Sequence, residues 1–201
     1  DNIDHSLKFN HQCIMDNKFH GNFTQQDGLP EIAIERATRV LRSGRLHRYN
    51  LGKDEIGEVG SLELEFAKFI NVKYCLAVAS GGYTLSTALR ALGVGHGDNV
   101  LTNAFTLAPV PGAIASVGAK PIFVGVTENL VIDLDDLEAK SQNAKVLMLS
   151  HMRGHICDMD KLLSICTSNN IQLIEDCAHT MGAKWRDRWS GPGPIVKTAP
   201  P

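Results

Sequence analysis

From residue 30 onward the apolar positions fall first at helical spacing and then in short unbroken runs. Pro30 suits a first helical turn, Ala33, Ala37, Val40 and Leu41 recur on one face, and Gly44 supplies a stop. Val59, Leu62, Phe66 and Phe69 repeat at steps of three and four. They predict a second helix that leaves Glu58, Glu63, Glu65 and Lys68 to water. The period then changes. YCLAVA at 74–79, NVLTN at 99–103, PIFVGV at 121–126, KVLMLS at 145–150 and IQLIED at 171–176 each read as a strand. Helical or mixed segments at 84–92, 107–117, 134–140 and 158–168 separate them. Strands alternating with helices predict right-handed crossovers and a mostly parallel sheet, so the fold class is α/β.

The two ends depart from this pattern. Residues 1–29 are polar and aperiodic and read as an N-terminal arm with little core of its own. The closing SGPGPIVKTAPP is too rich in proline and glycine to continue a sheet or helix. A length of 201 residues suits one α/β core, and 43% hydrophobic with 21% charged residues is ordinary for a globular protein. A net charge of −2 argues against an electrostatic grip on nucleic acid or an anionic membrane. The start has neither a basic flank nor an apolar core, and no run reaches the ~18 apolar residues of a membrane span, so a cytoplasmic location is expected. Cys13, Cys75, Cys157, Cys166 and Cys177 are scattered and never spaced as CxxC. They read as reduced thiols, and no metal site is expected.

Two places could carry chemistry. In ASGGYTLSTALRAL the run at 74–79 breaks at Ser80, Gly81 and Gly82, and a helix is expected to begin near Tyr83 or Thr84. Free N–H groups at such a start, with the positive end of the helix dipole, favour a dianion; an ordinary strand-to-helix turn has the same outline. The segment lacks the GK[ST] of a Walker loop and the GxGxxG of a dinucleotide fold. The second place is Asp176, at the carboxyl end of an expected strand, where open α/β sheets bind ligands. A carboxylate there can hold a cationic ring nitrogen, bind a metal, act as acid or base, or simply cap a helix or pair with a cation. Its neighbour Glu175 points the other way and reads as structural. His179 and His151 are each lone histidines of the kind that usually hydrogen-bond within a fold. Cys177 reads as small packing.

Taken in order, EVGSLELEFAKFI, VASGGYTLSTALRALGVGHGDNVLTNAFTLAPVPGAI, GAKPIFVGV, SHMRGHICDMDKL and IQLIEDCAHTMGAKW resemble the DegT/StrS family of sugar aminotransferases over residues 30–191. The resemblance implies a three-layer large domain of fold type I with pyridoxal 5'-phosphate as cofactor, incomplete at its C-terminus and followed by a non-family tail at 192–201. It implies that Ser80, Gly81, Gly82 and Tyr83 hold the cofactor phosphate, Gly82 standing where the family usually has Thr. Asp176 matches the aspartate that bonds the pyridine nitrogen, and His179 a position near the phenolic oxygen. Leu107 stands where the family places an aromatic over the ring. The family's Ser-x-x-Lys segment, whose lysine carries the cofactor, is not found, and Lys197 lacks its context and spacing. The implied reaction passes an amino group from a donor such as glutamate to a nucleotide-linked keto sugar, in a homodimer when full length. A non-catalytic binding or regulatory protein of the same fold is the alternative. A Rossmann-type nucleotide binder is disfavoured by the missing GxGxxG.

Overall fold

The computed structural model describes Asn22, residues 26–49 and residues 51–189. Most of the expected arm, the whole expected tail and Lys197 lie outside the described residues. The chain divides into two compact units, Asp1–Tyr49 and Asn50–Pro201. In the first, helix α1 spans Glu31–Ser43, with Pro30 at its N-cap and Gly44 closing it in the left-handed region at φ 70°, its N–H donating to Leu41 O.

In the second unit, α2 (Glu58–Phe69) and α3 (Gly81–Ala91) precede the alternating series. That series runs β1 (Asn99–Asn103), α4 (Pro109–Ser116), β2 (Lys120–Val124), α5 (Leu134–Lys140), β3 (Val146–Ser150), α6 (Met159–Ser168) and β4 (Gln172–Asp176). The four strands form one parallel sheet in the order β2-β1-β3-β4. A small antiparallel hairpin, β5 (Lys184–Trp185) with β6 (Arg188–Trp189), follows. Trp185 Nε1 and Arg186 tie the hairpin to Asp160 of α6.

Strand order and handedness together decide which helix covers which face. The step β1→β2 runs one way along the sheet and β3→β4 the other, so right-handed crossovers put α4 and α6 on opposite faces. The core divides accordingly. Val100, Val146 and Met148 pack with Leu85 and Leu89 of α3 and with Val110, Ala113 and Ile114 of α4. Leu101, Leu147, Leu149 and Leu173 pack on the other face with Leu137 of α5 and with Leu162, Ile165 and Cys166 of α6. Adjacent residues of β1 and β3 alternate between the two clusters, as the two-residue period of a strand requires. The result is a three-layer α/β sandwich.

One expected strand is not formed. Residues 74–79 form no regular element and pair with no strand among the described residues, and Tyr74 and Leu76 are 78% and 62% exposed. An apolar run becomes a strand only when a neighbour supplies the other half of the ladder. Here Ala77 N–H donates instead to Glu63 Oε1 of α2, at 2.8 Å. That bond also revises the expected polarity of α2: Glu63 turns inward, whereas Leu62, Leu64 and Phe69 are exposed. Helix α3 likewise starts earlier than its sequence suggests and takes both glycines into its first turn.

Candidate functional site

The strand order reverses between β1 and β3, and in open parallel sheets that reversal opens a crevice beyond the carboxyl ends of the strands. Divergence there leaves backbone groups in need of partners. The β1–β3 ladder pairs Leu101 with Leu147 and Thr102 with Met148. Beyond it the Asn103 side chain stands in for a strand. Its Oδ1 accepts from Ser150 N–H at 2.8 Å, and its Nδ2 donates to Ser150 O at 3.1 Å and Phe105 O at 2.8 Å. Both residues are buried, Asn103 at 2% exposure and Ser150 at 6%.

Ser150 pairs in register with Asp176 on β4. Its hydroxyl donates to Asp176 Oδ2 at 3.1 Å, and Ala178 N–H donates to Asp176 Oδ1 at 3.2 Å. A carboxylate has about four acceptor sites, so each oxygen keeps capacity for a ligand. Alternation along β3 and β4 puts Ser150 and Asp176 on the face covered by α3 and α4, since Met148 and Ile174 pack there.

Glu175 faces the other way, as expected. Its Oε2 meets Nε2 of His151 at 2.9 Å, with side-chain exposures of 7% and 1%. Cys177 brings a third potential ligand atom within 4.8 Å of these two. The imidazole and carboxylate already satisfy one another, and a metal would have to break that buried bond. His151 N–H also donates to Asp176 O at 3.2 Å, so the tip of β4 is clasped to β3 from both faces.

The other half of the candidate site is the start of α3. Ser80 caps it: Ser80 Oγ accepts from Tyr83 N–H at 3.3 Å, and Ser80 O accepts from Thr84 N–H at 2.9 Å. The N–H groups of Gly81 and Gly82, in the first turn, have no intrahelical acceptor. A Cβ at either glycine would meet no atom within 4 Å, and neither needs a positive φ. Among the described residues, no contact at the Cβ position demands a glycine there. Tyr83 is exposed.

The remaining candidates lie in the segments that follow β1 and β4. Leu107 is exposed beyond β1, next to Thr106, whose Oγ1 is buried without a hydrogen-bond partner among the described residues. His179 is exposed and its Nδ1 accepts from Arg153 N–H at 3.2 Å, which in the neutral ring puts the proton on Nε2. Arg153 makes that bond from the left-handed region, at φ 57°. Burial pushes the Cys157 thiol up to about 12 and that of Cys166 to about 11, which makes both unreactive packing groups.

The sequence reading named neither Asn103 nor Ser150. The available signal was a polar residue closing each of two apolar runs, at strand ends where a buried polar group must find a partner.

A parallel sheet with helices on both faces and polar groups gathered beyond its carboxyl ends defines a ligand-binding α/β domain. Residues 30–197 match the DegT/DnrJ/EryC1/StrS aminotransferase family, and the chain belongs to that family. It is 41% identical over 128 residues to a putative L-glutamine:3-amino-2,3-dideoxy-scyllo-inosose aminotransferase of Micromonospora echinospora, covering 63% of this chain and 31% of that one. It is 36% identical over 135 residues to the GDP-perosamine synthase of Escherichia coli O157:H7, covering 66% and 37% respectively. Among solved structures, an aminotransferase from Psychrobacter cryohalolentis superposes with a TM-score of 0.75 at 30% identity, over 84% of this chain and 42% of its own. A putative sugar aminotransferase of Streptococcus pneumoniae in its PLP form gives 0.71 at 25% identity, over 84% and 45%. The chain thus spans about a third of the curated relatives' length, and its fold is that of the fold type I transferases. Among the described residues no helix is long and apolar enough to cross a membrane.

Proposed function

We propose that this chain is the cofactor-holding part of a pyridoxal-phosphate-dependent aminotransferase that passes an amino group from an amino acid such as glutamate to a nucleotide-linked keto sugar. One observation carries the reading. A glycine-opened helix start and a braced carboxylate belong to the same face of one sheet, and a phosphorylated pyridinium offers an anion to the first and a cation to the second. Family membership and the sugar aminotransferases among the relatives support the same assignment.

The donor set fits that group. The N–H groups of Gly81 and Gly82 would take the phosphate, aided by the dipole of α3. Asp176 would bond the ring nitrogen, Nε2–H of His179 the phenolic oxygen, and Leu107 would cover a ring face. When bound, the cofactor supplies an electron sink for the pair released as the substrate carbon loses its proton. Asp176 serves that chemistry by keeping a proton on the ring nitrogen. Ser80 serves it by holding the first turn of α3 so that the glycine N–H groups stay directed outward. The reading includes a homodimer of the full-length protein in the cytoplasm, and light scattering on the full-length protein that finds only monomer would remove the dimer from it.

Calorimetric titration with pyridoxal phosphate tests the assignment. Gly81→Val adds bulk at a position where a Cβ meets no atom within 4 Å, so the first atom of the new side chain finds room and the added bulk obstructs a ligand at the helix start. Affinity should fall at least about tenfold, or about 1.4 kcal/mol. Binding of pyridoxal, which lacks the phosphate, should change little. Unchanged pyridoxal phosphate affinity in both Gly81→Val and Asp176→Ala would sink the reading. The 201-residue chain, in which no lysine stands in the Ser-x-x-Lys context, should transfer no amino group from glutamate to a nucleotide-linked keto sugar.

A further inference from the structure

We infer that Ser150 is the positioning residue for Asp176, and that Asn103 fixes Ser150 in turn. The inference rests on the cofactor reading above and goes further, because it assigns roles to two residues that contact the ring only through Asp176. A carboxylate at a strand tip has a free rotor, and a ring nitrogen is served well only when one oxygen is held toward it. Two donors hold this one, Ser150 Oγ on Oδ2 and Ala178 N–H on Oδ1. The Ala178 bond is local and moves with the β4 tip. The Ser150 bond comes from another strand and ties the carboxylate to the sheet.

Ser150 can serve in this way because its own backbone is pinned. Both its N–H and its C=O are bonded to the Asn103 side chain, at 2.8 and 3.1 Å, where the β1–β3 ladder has ended. The line Asn103–Ser150–Asp176 therefore crosses three adjacent strands, β1, β3 and β4, at the point where the strand order reverses. Each member uses polar groups that burial would otherwise leave costly, so the chain of bonds is stiff. A hydroxyl aimed at one carboxylate oxygen also leaves the outer lone pairs as the ones on offer to a ligand.

The test measures affinity for two probes, pyridoxal phosphate and its 1-deaza analogue, which keeps the phosphate but has carbon in place of the ring nitrogen. Ser150→Ala should weaken pyridoxal phosphate by about tenfold, the scale of one hydrogen bond to a charged group. It should leave the analogue within about twofold, and an Asp176→Ala background should abolish the effect, since positioning requires the residue positioned. Equal weakening of both probes marks general damage and overturns the inference, as does the same loss with and without Asp176. Asp176→Ala that weakens pyridoxal phosphate beside a silent Ser150→Ala overturns only this inference. A silent Asp176→Ala removes the cofactor assignment beneath it. Asn103→Ala should weaken pyridoxal phosphate in the same probe-specific way, and an equal loss for the analogue counts against its place in the line.

Discussion

Two apolar runs lead into the two halves of the candidate site, and their fates differ. VLMLS of β3 is buried at every position and paired on both sides, to β1 and β4. YCLAVA at 74–79 has a similar composition, yet it lies outside any strand, with Tyr74 and Leu76 exposed and one of its N–H groups bonded to a glutamate side chain. The first run delivers Ser150 and thereby Asp176, fixed by bonds that span the sheet. The second delivers the Ser80–Tyr83 turn, which is held by its own cap and by Leu85 and Leu89 packing behind it. The carboxylate half is thus built into the core, whereas the anion half is carried by one helix. Local stability should follow that division.

Thiol labelling should separate the regions most widely. Cys75 sits in the segment at 74–79 and is half-buried, its thiol raised by burial and by the Glu63 carboxylate, while Cys157 and Cys166 are buried, with thiols at about 12 and about 11. At pH 8 the thiolate fraction of Cys157 is lower than that of an ordinary cysteine by about a thousandfold. Mass spectrometry under iodoacetamide should find Cys75 modified well before either, and early modification of Cys157 would break the comparison. Next in size, Leu147→Ala, at the fully buried centre of β3, should cost about 2–5 kcal/mol in urea unfolding. Ser80→Ala removes the cap of α3 and should cost about 1 kcal/mol, together with a loss of pyridoxal phosphate affinity. Leu76→Ala should cost less than about 0.5 kcal/mol, because the side chain is already largely in water. A cost near that of Leu147→Ala would mean that the two runs are equally buried.

The sheet was largely legible from the chain because each of its four runs carries its own evidence. The run at 99–103 coincides with β1, and the others agree with β2, β3 and β4 to within about two residues at each end. The failure at 74–79 has a plain cause: an apolar run says that a segment can be buried, not that a partner strand will be beside it. The hairpin at Lys184–Trp189 escaped because strands of two residues carry no period. Asp176 stood out because an acid closing an apolar run is locally anomalous, and the α3 turn because two glycines interrupt a run. Ser150 and Asn103 did not, since what matters about them is a bond across 47 positions of sequence. The inward turn of Glu63 is of the same kind, its partner lying 14 residues away.

The Asn103 amide also exposes the protein to a slow form of chemical ageing. Its nitrogen faces two carbonyl oxygens, those of Ser150 and Phe105, while its oxygen faces an N–H. Asparagine is thermolabile, and its hydrolysis to aspartate replaces the donor nitrogen with a carboxylate oxygen, a second acceptor. That oxygen would then lie against the same two carbonyls, and repulsion would take the place of two hydrogen bonds at the junction of β1 and β3. Enclosure in the sheet restrains the backbone motion that such hydrolysis needs. The lifetime of this one amide therefore depends on how often the strand ends open, and a single atom exchanged there would unpin the serine behind the aspartate.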